Sequence, residues 1–452
     1  MSALSVLVAR VLAFVSVFGF NAVLARTLVP EEFGLFALLF SMATLACLVA
    51  SCGLNRALVK ILADQSYAND GKNLRRILNI GLLTSVIAGC LVGLMAYGIV
   101  TSFFSFQGDL GNIAFWFGSI IAIRTSHFVM AETIRGLHET NWSNLFGGPA
   151  GGPLPHMLFL GLLIYVSLYK IQLNLPTVLA CYFGSFALTL LPLVFRCYSL
   201  SNSQPFEHES RESKRLTSRY ILELAVPIML TQSFGLMLTQ SDVWMAGAMV
   251  LPAALAVYCS AQRMLAFLTI PLQISSTALV PLVAELVSSK RKSEFQEILG
   301  LATFVAGIPS ILIAVVLLQF PELILSIAFG EFYAQAAPIL QVLVVGQLVC
   351  ALTGPCEMVL IMGGHQKKAL VVNVCASLAM VTFCPLSIWL FGIYGLAFAV
   401  SAIMAVQNIF NCWLTKRVVG VQAHFQLRYA LKIQENIAGQ YFADGRKSHA
   451  AR

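Results

Sequence analysis

Between Ala369 and Thr415 the chain carries no charged residue. A membrane-crossing helix takes about 20 apolar residues, so this stretch is too long for one span and long enough for two. Gly392-Ile-Tyr-Gly395 supplies the break between them. The rest of the chain follows suit: 58% of its residues are hydrophobic and only 11% charged, against roughly 25% charged residues in an ordinary soluble domain. That balance excludes a water-soluble globule. It also excludes disordered, collagen-like and coiled-coil chains, which need polar or strictly repeating compositions.

The 452 residues hold about a dozen spans, with no length left for a soluble domain. The apolar segments predict spans over 5–26, 33–54, 77–101, 112–131, 145–169, 174–195, 220–241, 253–284, 296–320, 334–362, 369–390 and 393–415. The first of these lacks a basic run before it and a small-residue cleavage pattern after it, so it reads as a retained span, with the mature chain beginning at or near Met1. The eleven cysteines fall mostly inside spans, without CxxC or Cys/His spacing, and read as small apolar side chains; neither disulfides nor a metal is implied.

The net charge of +8 orients the chain. With twelve spans, one side collects Arg56, Lys60, Lys72, Arg75, Arg76, Arg135, Arg196, Arg211, Lys214, Arg215, Arg219, Lys290, Arg291, Lys292, Lys367, Lys368 and the basic tail. The other side has little besides Arg26 and Lys170. The positive-inside bias puts both termini in the cytoplasm of a multi-pass protein of the cell (inner or plasma) membrane. A nucleic-acid partner would need these charges gathered on one solvated face with aromatics among them, a pattern the sequence lacks.

A weak repeat divides the chain. At a shift of about 222 residues, the segment from Ala25 through Pro30 and Gly34 to Phe36 falls on Gly247 through Pro252 and Ala256 to Tyr258, and Gly108-Asp109 falls on Gly330-Glu331. At a slightly larger shift, Arg135-Gly-Leu-His138 falls on Met362-Gly-Gly-His365. The expected fold is therefore all-α: a polytopic membrane protein of about twelve transmembrane helices in two parallel six-helix bundles around a central cavity. Its domains are a bundle over 1–198, a cytoplasmic linker over 199–219, a second bundle over 220–415 and a basic cytoplasmic tail over 416–452.

Three blocks of residues carry a family likeness. The first runs from Arg10 through Leu24-Ala-Arg26-Thr-Leu-Val-Pro-Glu-Glu-Phe-Gly34 to Gly53-Leu-Asn-Arg56. The second is Ser241-Asp-Val-Trp-Met-Ala-Gly247 with Val257-Tyr258 and Ala261-Gln-Arg263. The third runs from Phe329-Gly-Glu-Phe-Tyr333 through Gly354-Pro355 and Gly363-Gly-His365 to Gly392-Ile-Tyr-Gly395-Leu-Ala. In order and spacing they resemble the polysaccharide-unit flippases of the multidrug/oligosaccharidyl-lipid/polysaccharide exporter superfamily. The resemblance implies that the chain moves a polyprenyl-pyrophosphate-linked oligosaccharide to the outer leaflet for O-antigen, lipopolysaccharide or exopolysaccharide assembly. The implied partners are the lipid-linked glycan, membrane lipids and a polysaccharide polymerase or other assembly proteins, with no cofactor.

A sugar pyrophosphate cannot cross hydrocarbon unaided, because each unpaired polar group costs several kcal/mol there. The arginines Arg10, Arg26, Arg124 and Arg263 are the candidate substrate ligands, since a guanidinium grips two phosphate oxygens at once and keeps its charge. In the related peptidoglycan-precursor flippases arginines of the first helix matter for transport, and Arg10 and Arg26 occupy comparable places. Asp242 and Glu357 are candidates for ion coupling. The competing structural readings are snorkelling of Arg10, Arg26 and Arg56 to the interface and the pairs Arg263 with Asp242 and Arg124 with Glu357. Trp116, Trp142, Trp244 and Trp413 read as interfacial anchors, and Asn21, Gln232, Gln240, Gln262, Gln273, Gln347 and Asn373 as bonding either sugar hydroxyls or neighbouring helices.

Two other functions compete. A multidrug or cation antiporter of the same fold would want an acid-lined cavity; four candidate arginines against two carboxylates tilt the balance toward an anionic lipid-linked glycan. A membrane glycan polymerase or ligase would need acid/base groups, and the sequence shows no Ser/His/Asp arrangement, paired-carboxylate motif or phosphate-binding glycine loop. The chain is therefore not read as an enzyme.

Overall fold

A computed structural model describes residues 3–63, 71–103, 110–137, 139–147, 151–169, 171–202, 218–275, 279 and 292–426. Several sequence readings lie outside these residues: most of the linker, with Arg211, Lys214 and Arg215; Gly108, Asp109, His138, Lys170, Lys290 and Arg291; and the tail from 427 to 452.

The described elements are helical. They are α1 (Ala3–Thr27), α2 (Pro30–Ala50), α3 (Leu54–Ala63), α4 (Gly71–Phe103), α5 (Leu110–Gly136), α6 (Thr140–Phe146), α7 (Pro153–Leu168) and α8 (Leu175–Asn202). There follow α9 (Ser218–Met249), α10 (Pro252–Met264), α11 (Lys292–Gln319) and α12 (Pro321–Phe329), a 3-10 turn over Glu331–Ala336, then α13 (Ala337–Thr353), α14 (Cys356–Met362) and α15 (Gln366–Val418). Nine stretches among the described residues are long and apolar enough to cross a membrane. One of them, Gln366–Val418, is divided at Gly392, whose φ of 62° and ψ of −148° only glycine adopts readily. Its two legs, the shorter apolar Pro153–Leu168 and the polar-flecked Ser218–Met249 bring the set to the twelve expected from sequence.

Boundaries differ where backbone chemistry overrides hydropathy. The fifth span begins at Pro153 rather than 145, because Gly147, Gly151 and Gly152 are not helical and Pro153 sets the first turn. The second ends at Ala50, stopped by Cys52 and Gly53 at φ 49° and 74°. The tenth, read as continuous over 334–362, is broken after Thr353 by Gly354 and Pro355.

The chain forms two compact units. The first comprises Met1–Cys259 with Ala328–Phe332; the second comprises Ser260–Ile327 and Tyr333–Arg452. In the first unit an apolar layer of Leu54, Leu58, Leu78, Val129, Ile134 and Leu193 joins α3, α4, α5 and α8. A polar seam ties α9 to α2 and α3: Ser41 donates to Gln240 at 2.7 Å, the Trp244 indole N–H donates to Ser41 at 2.9 Å, and Asn55 donates to Gln232 at 3.0 Å. Gln232, Gln240 and Trp244 thus join helix to helix, whereas Trp413 is half-exposed beneath the Arg417 guanidinium. In the second unit, Leu299, Cys356 and Val359 pack with Val421 and Ala423 from beyond the last helix.

Replacing Gly392 by Val forces a β-branched residue into the glycine-only region, at a cost of about 1–3 kcal/mol. The melting temperature of purified Gly392→Val in detergent should fall by several degrees; an unchanged value would mean that the turn between the two legs relaxes freely.

Candidate functional site

Four helices of the first unit converge on one cation. From α2 come Phe40, Thr44 and Cys47, at spacings that keep them on one face. Helix α5 supplies Arg124 and, one turn later, His127; α7 supplies His156; α8 supplies Tyr182 and Phe186, four residues apart. Arg124 is 1% exposed. Its Nη2 donates to Thr44 Oγ1 at 3.1 Å, and its guanidinium carbon lies 5.4, 5.8 and 5.7 Å from the ring centres of Phe40, Tyr182 and Phe186. His156, fully buried, packs 5.5 Å from Phe20 and 6.0 Å from Phe186; His127 meets Phe186 edge-on at 5.1 Å.

The arrangement answers an electrostatic problem. Burying an ion costs several kcal/mol even after relaxation, and the negative faces of three rings each return about 0.5–2 kcal/mol to a desolvated cation. Aromatic pairs such as Phe159 with Tyr182 and Tyr182 with Phe186, both at 5.0 Å, hold the rings in place. The first unit therefore carries a fixed positive charge within its spans, since a guanidinium does not deprotonate.

A second cluster lies at the far end of α5. Glu132, with its side chain 3% exposed, is 3.1 Å from Arg135 and 3.8 Å from Arg56. Arg135 also donates to Ser143 at 3.0 Å, and Arg196 pairs with Glu139 while lying over the Trp142 ring. Three guanidinium groups thus face two carboxylates. In the second unit, Gln407 donates to Asn373 at 2.9 Å and Asn373 to Glu357 at 2.7 Å. Gln407 and the apolar Val371, Ala376, Phe383, Val406 and Phe410 line a groove of about 500 Å³ between the two legs of α15.

The sequence-derived candidates scatter over these settings. Arg10 is exposed on α1; Arg26, in the last turn of the same helix, is exposed and donates through Nε to the Ala328 carbonyl at 3.3 Å. Arg263 is half-buried at the end of α10. Asp242 is buried and accepts the Tyr258 hydroxyl at 2.6 Å. Glu357 is exposed and accepts from Asn373, within the second unit, whereas Arg124 belongs to the first. Sequence reasoning singled out Arg124 but passed over its aromatic surroundings and Glu132. The spacing of Phe40 with Thr44 and of Tyr182 with Phe186 was the available signal for the first; Glu132, three residues before Arg135, was the signal for the second.

The described elements are helices, nine stretches of them long and apolar enough to cross a membrane, and the first unit buries a guanidinium among aromatic rings. Residues 23–129 match the family model of the polysaccharide biosynthesis proteins, and residues 227–386 match the MatE model. No curated protein matches the sequence. The fold is shared with a multidrug resistance MATE family transporter of the MOP superfamily in its inward-facing conformation, at 14% identity and a TM-score of 0.71, over 93% of this chain and 99% of that one. It is shared with the lipid II flippase MurJ in an inward closed conformation, at 14% identity and a TM-score of 0.64, over 97% of this chain and 91% of that one. A MOP superfamily transporter from Pyrococcus furiosus, described as having a binding pocket of reversed polarity that suggests a different function, matches at 14% identity and a TM-score of 0.62, over 92% of this chain and 94% of that one. Each family model covers less than half of the chain, and together with the common fold they make it similar to proteins of the MOP superfamily.

Tyr182 tests the cage. Its hydroxyl is buried without a hydrogen-bond partner, so Tyr182→Phe removes an unsatisfied group and should leave stability equal or higher by about 1 kcal/mol. Tyr182→Ala removes a ring from the cation and should cost about 3–5 kcal/mol. Thermal unfolding of the two variants in parallel measures the difference; equal losses would show that the ring has no bearing on the charge.

Proposed function

We propose that the chain is an alternating-access flippase that moves a polyprenyl-pyrophosphate-linked oligosaccharide from the cytoplasmic to the outer leaflet, working in the cell membrane with both termini in the cytoplasm. The observation that carries this reading is the match of residues 23–129 to polysaccharide biosynthesis proteins, a stretch that includes Arg26 and the caged Arg124. A permanent positive charge at membrane depth offsets the cost of bringing a pyrophosphate there, whereas it raises the cost for a cationic drug. In this reading Arg10, Arg26 and Arg263, none of them fully buried, grip the pyrophosphate. Arg124, closed off by its rings, contributes the background potential. Asp242 and Glu357 serve ion coupling. The lipid tail stays in hydrocarbon while the sugar passes, and a polysaccharide polymerase or other assembly protein receives the product.

A second reading, a multidrug or cation antiporter, is favoured by the MatE match over residues 227–386, which contains Asp242, Arg263 and Glu357. The two predict opposite behaviour.

Deletion of the gene should leave lipid-linked oligosaccharide on the cytoplasmic face, detectable by its inaccessibility to external periplasmic or extracellular glycan-modifying enzymes. Arg124→Lys, which keeps the charge, should restore export to within about threefold of wild type. Arg124→Gln, which removes it, should lower export by roughly tenfold or more, the equivalent of about 1.4 kcal/mol or more. Normal glycan export in the deletion strain together with lost efflux of cationic dyes would replace the first reading by the second.

A further inference from the structure

The segment just beyond the last helix turns back into the second unit. At Gly420 (φ 80°) the chain leaves the helix, and Val421-Gln-Ala-His-Phe-Gln426 continues without regular secondary structure, with a bend at His424. Apolar and polar residues alternate along it, the period of a strand with one covered face. Val421 and Ala423 are 1% exposed, and the Phe425 ring stacks on Phe304 of α11, centroids 5.2 Å apart and planes 19° from parallel. Gln422, His424 and Gln426 stay half-buried on the other edge.

Its backbone partners come from helices. The Gln296 side chain pairs with both peptide groups of Gln422: Nε2 donates to the carbonyl at 2.7 Å, and the Gln422 N–H donates to Oε1 at 2.6 Å. The Phe425 N–H donates to the Leu352 carbonyl at 2.8 Å. That carbonyl lies in the last turn of α13, which is left incomplete because Cys356 N–H bonds to Gly354 instead and Pro355 has no N–H. The strap thus satisfies part of a helix break inside an apolar stretch, Glu331–Met362, where an unpaired carbonyl is costly. Its contacts with α11 run from Gln296, bonded to Gln422, to Phe304, stacked on Phe425 and about 12 Å farther along the helix.

Two glycines make room for it. A Cβ on Gly354, whose φ is 76°, would lie 2.2 Å from the Ala423 carbonyl oxygen, and a Cβ on Gly307 would lie 2.6 Å from the Phe425 ring. Yet little holds the strap compared with a span: three apolar side chains, the Gln296 pair, the Phe425 bond and a contact of His424 with the Cys412 thiol. Elements held by so few buried contacts open locally long before the whole fold does.

We propose that Val421–Gln426 is a detachable latch: docked, it caps the Gly354–Pro355 break and stiffens α13 against α14; released at the Gly420 turn, it frees that break to act as a hinge in the transport cycle. The inference depends on the chain being a transporter and not on which cargo it carries.

Hydrogen exchange of the full-length protein in lipid nanodiscs, read by mass spectrometry, tests release directly. The amides of 421–426 should exchange at least about tenfold faster than those of α11 around Phe304. Gly307→Leu, which fills the place of the Phe425 ring, should accelerate 421–426 and the 353–357 break together while α11 stays protected. In the full-length chain within inverted membrane vesicles, a cysteine introduced by Ala423→Cys should react faster with an impermeant maleimide once the vesicles are energised, with the chain lacking the substitution as the reference for native thiols. Exchange of 421–426 in step with α11, or Ala423→Cys reactivity that energisation does not change, would make the strap a permanent part of the unit and overturn the proposal.

Discussion

A polar group without a partner in hydrocarbon costs several kcal/mol, and that single constraint orders what this chain does with its few polar atoms. Backbone amides are satisfied within helices, so the chain is built from them. Hydroxyls turn back onto their own helix, as Thr125 does onto Ile121 and Thr133 onto Val129. Where a helix must stop inside an apolar stretch, another segment supplies the missing bond, as the Phe425 N–H does for Leu352. Where a charge must be buried, rings or opposite charges surround it, as at Arg124 and Glu132.

The two buried charges solve the same problem differently, and the difference carries meaning for function. Glu132 sits between partly exposed arginines whose own charges are hydrated, so the cluster is a local ion-pair network that carries positive excess outward. Arg124 lies among the rings of Phe40, Tyr182 and Phe186, whose faces attract it. A quadrupole leaves the net charge in place, and in a low-dielectric interior the field of that charge reaches farther than it would in water. An aromatic cage is thus one means of holding a positive charge within the first unit.

Much of the fold was legible from residue types because hydrophobic length is a coarse and robust signal. The uncharged run from Ala369 to Thr415 and the glycines at 392 and 395 fixed two legs and their turn, and Gly392 takes up the one backbone conformation that only glycine tolerates. The span over 334–362 was harder: hydropathy is continuous across Gly354-Pro355, while the loss of one N–H and a positive φ interrupt the helix there. The tail was hardest of all. Val421-Gln-Ala-His-Phe-Gln426 is too short and too polar to register beside a 20-residue span, and its strand-like alternation acquires meaning only next to the helix break it covers.

The candidate site divides along the same line. Individual cations stand out in an apolar chain, so Arg124 could be picked from sequence, but the aromatic residues around it could not be distinguished from core packing. Phe40 lies on a face of α2, and Tyr182 and Phe186 on one face of α8, and ordinary membrane-protein composition would fill both faces with aromatics in any case. What selects them is convergence, and convergence depends on how α2, α5 and α8 pack within the unit. The same argument explains why Gln232 and Gln240 were ambiguous: an amide in a span bonds whatever faces it, and here Asn55 and Ser41 face it. Those bonds bind α9 into the first unit, so Gln232 and Gln240 serve helix packing.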